Sequence, residues 1–132
     1  MPRQPRISKA PVSAEPPASR RVLLVEPDAM LAALFKRRLT EVFGVTVDTV
    51  LTVRRMHEQL SRRQYRLVVA DMSLNVATAI AAIKSHGAAA VVTTPGASPA
   101  DVQELTAAGA DAIMITTHCT PDGVVSFLRK FL

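Results

Sequence analysis

The sequence predicts one small α/β domain built on a parallel sheet with helices over both faces. Three observations carry that expectation. Short runs rich in Val, Leu, Ile and Ala recur five times, each is followed by a stretch with helical spacing, and the joining segments are short. Parallel strands need crossover connections, and right-handed βαβ crossovers leave helices on both sides of the sheet. Length and composition agree. The 132 residues suit a single domain, and 48% of them are hydrophobic. With no Trp and few aromatics, the core must be aliphatic.

Arg21–Val25 (RVLLV) is the kind of run that is buried on both faces of a parallel sheet. Asp28 is placed to cap the helix that follows, with Leu31, Leu34, Phe35, Leu39 and Val42 expected on its inward face. Gly44 stands where a left-handed C-cap belongs. Residues 45–50 read as a second strand, and Val53, Met56 and Leu60 mark a second, strongly basic helix. Residues 67–70 (LVVA) form a third buried strand, with Asp71 directly after it. Residues 76–86 read as a short Ala-rich helix, Ile80 and Ile83 inward, stopped by Gly87. Residues 89–93 are the fourth strand. Ser98, Pro99 and Asp101 then open a helix as cap, first-turn Pro and first-turn acid, with Val102 and Leu105 inward and Gly109 closing it. Ala112–Ile115 is the fifth strand. Thr120, Pro121 and Asp122 start a last helix carrying Val124, Phe127, Leu128 and Phe131.

Residues 1–19 differ from the rest. Pro2, Pro5, Pro11, Pro16 and Pro17 interrupt a stretch with few large apolar groups, so a disordered basic arm is expected before a folded domain at 20–132. No apolar run approaches the roughly 18 residues of a membrane span. The first residues lack a signal peptide's apolar core, and Cys119 is the single cysteine, which excludes an internal disulfide and fits a reducing cytoplasm. Cys119 is expected as a small packed residue rather than a reactive thiol. His57, His86 and His118 lie at no metal-ligand spacing and are expected on the surface or in loops.

For five strands alternating with helices, a flavodoxin-like order 2-1-3-4-5 is the natural solution, with function outside the carboxyl ends of the strands. That rule selects Glu26, Pro27 and Asp28 after the first strand and Asp71 after the third. Thr94 follows the fourth, and Thr116 and Thr117 follow the fifth. Strands one and three are neighbours in this order, so Glu26 and Asp71 should face each other. Two carboxylates beside a hydroxyl suit a hard cation such as Mg²⁺, and an Asp there could accept a phosphoryl group.

Net charge is +5, and much of the excess sits in Arg54, Arg55, Arg62, Arg63 and Arg66, against Glu58 alone. Such a cluster could attract an anionic or nucleotide ligand, though a solvated helix face is the simpler reading. No aromatic interleaving or Gly-rich clamp makes it a nucleic-acid motif.

Four stretches carry a resemblance: VLLVEPD at 22–28, YRLVVADMSL at 65–74, TPGASPADVQELTAAGADA at 94–112 and the closing TPDGVVSFLRKFL. Together they resemble the receiver domain of bacterial response regulators over residues 21–132. The resemblance implies that Asp71 is the phosphoacceptor for a histidine kinase, that Glu26 belongs to the acidic pocket, and that Thr94 is the switch hydroxyl. It also exposes departures. The second acid of the pair, the main Mg²⁺ ligand of the family, is Pro27, which weakens any Mg²⁺ site. The family's Lys is Thr116, its following Pro is Thr117, and its aromatic switch residue is Ile113. The loop after Asp71 is several residues short. The expectation is therefore a degenerate, stand-alone pseudo-receiver. It would be a phosphorylation-independent protein-interaction module rather than an enzyme, with a signalling-protein partner, a histidine kinase among the candidates. A working single-domain response regulator is the alternative, and an anion binder using the Arg-rich helix is a third. Val102, Leu105 and the edge of strand five offer a face for a homodimer.

Overall fold

Side-chain alternation along five strands decides the architecture. In the computed structural model, which describes residues 17–118 and 120–132, the strands are β1 (Arg21–Val25), β2 (Thr46–Val50), β3 (Leu67–Asp71), β4 (Ala89–Thr94) and β5 (Ala112–Ile115). All pair in parallel, in the order β2-β1-β3-β4-β5. The helices are α1 (Ala29–Phe43), α2 (Val53–Arg62), α3 (Ile80–Ser85), α4 (Pro99–Ala107) and α5 (Pro121–Leu128). Leu23, Val25, Val68, Ala70 and Val92 point into one core with Met56 and Leu60 of α2, Ile80 and Ile83 of α3, and Leu105 of α4. Their sequence neighbours Val22, Leu24, Leu67, Val69 and Val91 point into the other, with Ala32 and Leu39 of α1 and Val124 and Leu128 of α5. The predicted doubly wound α/β fold and its strand order are therefore those of the structure.

The element ends follow local chemistry. Asp28 accepts from the Met30 and Leu31 amides at the start of α1. Gly44 ends that helix at φ 65, a left-handed conformation that costs glycine nothing. Ser98 and Asp101 form a reciprocal capping box on α4. The AGAD turn also has a structural reason. Gly109 takes φ 109, and Asp111 accepts from the Ala90 amide at 2.7 Å and from Lys84 at 2.6 Å, tying α3 and β4 to the start of β5.

The structure corrects four expectations. The buried stripe of α1 is Ala32 and Leu39 flanked by Phe35 and Phe43, while Leu31, Leu34 and Val42 are exposed. A helix buries one arc, and the small Ala32 lets α1 approach the sheet where a leucine would hold it off. Val102 is likewise exposed, because α4 packs through Leu105 and the following Ala108 and Ala110. Leu105 is thus buried and is not available to a dimer face. Residues 76–86 are not one helix. Asn75 sits at φ 57, Val76–Thr78 winds as a 3₁₀ turn, and α3 starts only at Ile80, where Ala79 offers no capping side chain. β3 and β4 each run one residue further than expected, to Asp71 and Thr94, while β2 starts one later, at Thr46. The predicted arm falls almost wholly on residues 1–16, and it and Cys119 lie outside the described residues. Among those described, no helix is long and apolar enough to cross a membrane.

At the amino-terminal end of the sheet, Arg21 is 2% exposed and bonds Asp48 at 3.1 Å, and the Tyr65 hydroxyl donates to the same carboxylate at 2.6 Å. Burial pushes Asp48 up, but the bonds from Tyr65 and Arg21 outweigh it and hold the carboxyl below its usual 3.8. Burial and the bond to Asp48 push the Tyr65 phenol up to about 12. A lowered carboxyl stabilises the fold above its unfolded pKa and loses that contribution as pH falls through the folded value. Asp48→Asn should therefore cost about 2–4 kcal/mol at pH 7, since it takes a charged partner from a buried guanidinium. The deficit relative to wild type should shrink in urea melts below about pH 4.

Candidate functional site at the carboxyl edge of the sheet

Register places the site. Val25 pairs with Ala70, so the next residues on β1 and β3, Glu26 and Asp71, emerge side by side. Glu26 is only 5% exposed, and its carboxyl stands close enough to Asp71 to feel its charge. Burial raises the Glu26 pKa above its ordinary 4.5; the Asp28 amide, donating to Oε2 at 3.1 Å, opposes this, and the charges of Asp71 and Asp28 add to it. Asp71 accepts from the Ser73 amide at 2.8 Å through Oδ1 and so caps the turn that follows it.

The remaining candidates divide. Asp28 belongs to the acidic neighbourhood by charge, but its Oδ1 is spent on two helix amides. Pro27 is exposed at the bend between Glu26 and Asp28 and brings no donor. The Thr94 hydroxyl, expected as a switch, is instead committed to the turn after β4, donating to the Gly96 carbonyl at 2.6 Å and accepting from its amide at 3.2 Å. Thr116 donates to the Thr94 carbonyl at 3.3 Å, and Thr117 to the Pro95 carbonyl at 2.7 Å, so both fasten β5 to β4. Ile113 is half-buried against the α2–α4 core. The donor set does not fit a divalent cation well. Two carboxyls stand together, a third is turned to a helix, and among the described residues no group of three or more acids, His or Cys converges as a metal set.

The Arg cluster does not converge either. Arg54 and Arg55 both turn to Glu58, at 3.7 and 3.2 Å. Arg62 is exposed at the far end of α2, Arg63 lies near Asp48, and Arg66 donates to the Phe131 carbonyl at 2.8 Å on another side of the molecule. His57 and His118 are exposed and His86 half-exposed.

Sequence reasoning missed two features. Thr93 is 7% exposed and stands beside Asp71 in the β3–β4 register, on the same face of the sheet. Its period-2 spacing from Val91 was the available signal. The second feature is a cavity of about 330 Å³. Glu26, Asp71 and Thr93 stand at its polar end, Leu34, Phe35 and Val124 of α1 and α5 form its walls, and Arg38, ion-paired to Asp122, lies in its lining.

No family model matches the sequence, and no curated protein does. Solved structures do match in fold. An orphan response regulator of H. pylori superposes with a TM-score of 0.78 at 22% identity, over 89% of this chain and 99% of that one. The chemotaxis protein CheY4 of Vibrio cholerae gives 0.75 at 18%, over 85% and 98%. A Burkholderia pseudomallei response regulator with a phosphorylated aspartic acid gives 0.71 at 17%, over 84% and 71%. The chain therefore has the fold of response-regulator receiver domains.

The raised Glu26 carboxyl gives a test of the site's charge. A raised acid favours the folded state when protonated, so stability falls as pH rises from the unfolded value through the folded one. Glu26→Gln keeps an acceptor for the Asp28 amide and removes the charge. It should raise the melting temperature at pH 7 by a few degrees, and the gain should vanish below the ordinary glutamate value of 4.5.

Proposed function

We propose that this chain is a receiver-like signalling module that works through protein contact rather than through phosphate on Asp71, a binding module and not an enzyme. One observation carries the reading. Asp71 lies against Glu26 with no free basic side chain beside them among the described residues, since Arg38, the single cation lining the cavity, is bound to Asp122. A phosphoryl group adds up to two negative charges, and its transfer depends on cations that neutralise the transferred oxygens. A carboxylate pair supplies the opposite field. Losing such a cation costs about 3 kcal/mol of transition-state stabilisation, roughly a hundredfold in rate.

The contact surface adjoins the pair. Met30 is 78% exposed, and Leu31 and Leu34 are exposed on the same helix, an apolar strip at the amino-terminal end of α1. A signalling protein, such as a histidine kinase, is the class of partner that the fold suggests. The single Cys119 fits a cytoplasmic setting.

The runner-up is a phosphate-accepting regulator, favoured by the position of Asp71 at the end of β3 and by the phosphorylated aspartic acid of the Burkholderia structure. One measurement separates the two. After incubation with acetyl phosphate and Mg²⁺, the intact mass should stay unchanged; an adduct of about 80 Da that disappears in Asp71→Asn would overturn the interaction-module reading.

A further inference from the structure

We propose that the cavity between α1, α5 and the carboxyl edge of the sheet binds a small amphipathic amine, its ammonium held by Glu26, Asp71 and Thr93 and its apolar body lying between the two helices. The polar end calls for a cation. Glu26 is 95% buried beside a second carboxylate, and the one basic side chain in the lining, Arg38, is occupied by Asp122. Thr93 supplies an independent sign of a missing ligand. Thr93 is 93% buried and lines the cavity, and its hydroxyl has no hydrogen-bond partner among the described residues. Buried hydroxyls are ordinarily satisfied, and one left without a partner costs free energy.

Chemistry narrows the ligand. An ammonium carries three N–H donors, and Glu26, Asp71 and Thr93 present three acceptors at one end of the space. The bonds to the carboxylates are charge-assisted, and the one to Glu26 is made by a carboxyl that is itself buried. A bare metal ion would leave the walls of Leu34, Phe35 and Val124 unused, and an anion would meet two carboxylates. The volume, about 330 Å³, is at the lower end for ligand sites, so the body is a short aryl or alkyl group. Exposed Leu34 gives such a group an apolar edge by which to enter.

The inference does not rest on the interaction-module reading. Occupancy of the cavity and phosphate on Asp71 are read by different measurements, and either can fail alone. The test titrates the full chain with 2-phenylethylamine, 2-phenylethanol and methylammonium, followed by calorimetry and amide ¹H–¹⁵N spectra. The aryl amine should saturate, with shifts grouped on Leu34, Thr93 and Val124, and the other two probes should bind at least about tenfold more weakly. Asp71→Asn should weaken the amine by about tenfold or more, and the isosteric Thr93→Val by severalfold without lowering the melting temperature. Equal binding by the alcohol, shifts centred elsewhere, or undiminished affinity in Asp71→Asn would each overturn the proposal.

Discussion

Parallel pairing of β1 with β3, with Val25 beside Ala70, is what brings Glu26 and Asp71 into contact. Both strands are buried on both faces, so a one-residue slip would exchange the contents of the two cores. The register is therefore held by residues that carry no chemistry. Leu23, Val25, Val68 and Ala70 are locked under α2 and α3, and Val22, Leu24, Leu67 and Val69 are locked under α1 and α5. Given that register, the first residue beyond each apolar run has nowhere to go but the shared edge. The β3–β4 register adds Thr93 beside Asp71 by the same rule.

The acids elsewhere in the fold show what is unusual at this edge. Asp48 meets Arg21 and Tyr65, and Asp111 meets Lys84 and the Ala90 amide; in both, burial is outweighed and the carboxyl is held below its ordinary value. Glu26 is more buried than these and is shifted the other way, because burial raises it with no cationic partner to outweigh that, and the charges of Asp71 and Asp28 add to the rise. Two like charges 4 Å apart repel by about 4 kcal/mol at an effective dielectric of 20. The Asp28 and Ser73 amides, each donating to one of the two carboxyls, offset part of that. Charge is compensated where the protein needs only a stable sheet and left uncompensated where something else can approach.

Much of this was legible in the sequence. Arg21–Val25 and Ala112–Ile115 could be read to the residue, since a short, mostly apolar run bounded by polar groups has one interpretation in a doubly wound sheet. The facing of Glu26 and Asp71 followed from strand order alone. What escaped depended on pairs of elements. Leu31 and Leu34 are more apolar than Ala32, yet helix-to-sheet distance selects the alanine. Thr93 rather than Thr94 lies beside Asp71 because of inter-strand register, which no single strand encodes. The five arginines are close in sequence, but Arg66 falls beyond the helix and turns to the carboxyl end of the chain. The roles carried over from the receiver family at Pro27, Thr116 and Ile113 concern chemistry, and the fold tolerates each replacement without distortion of the sheet order.

Helix α1 joins these threads, because it serves the core and the site with different faces. Ala32 and Leu39 fasten it to the sheet, while Leu31 and Leu34, a turn apart, are left beside the acidic pair and line the cavity. Whatever covers those leucines comes within reach of Glu26 and Asp71 at the same moment. A cation brought there lowers the cost of ionising Glu26, and by linkage its binding favours the ionised form of that carboxyl. Apolar contact on α1 and charge at the sheet edge are in this way coupled through one buried carboxyl. The pair that would impede phosphate transfer is also what makes the edge selective for a positive group carried on an apolar one.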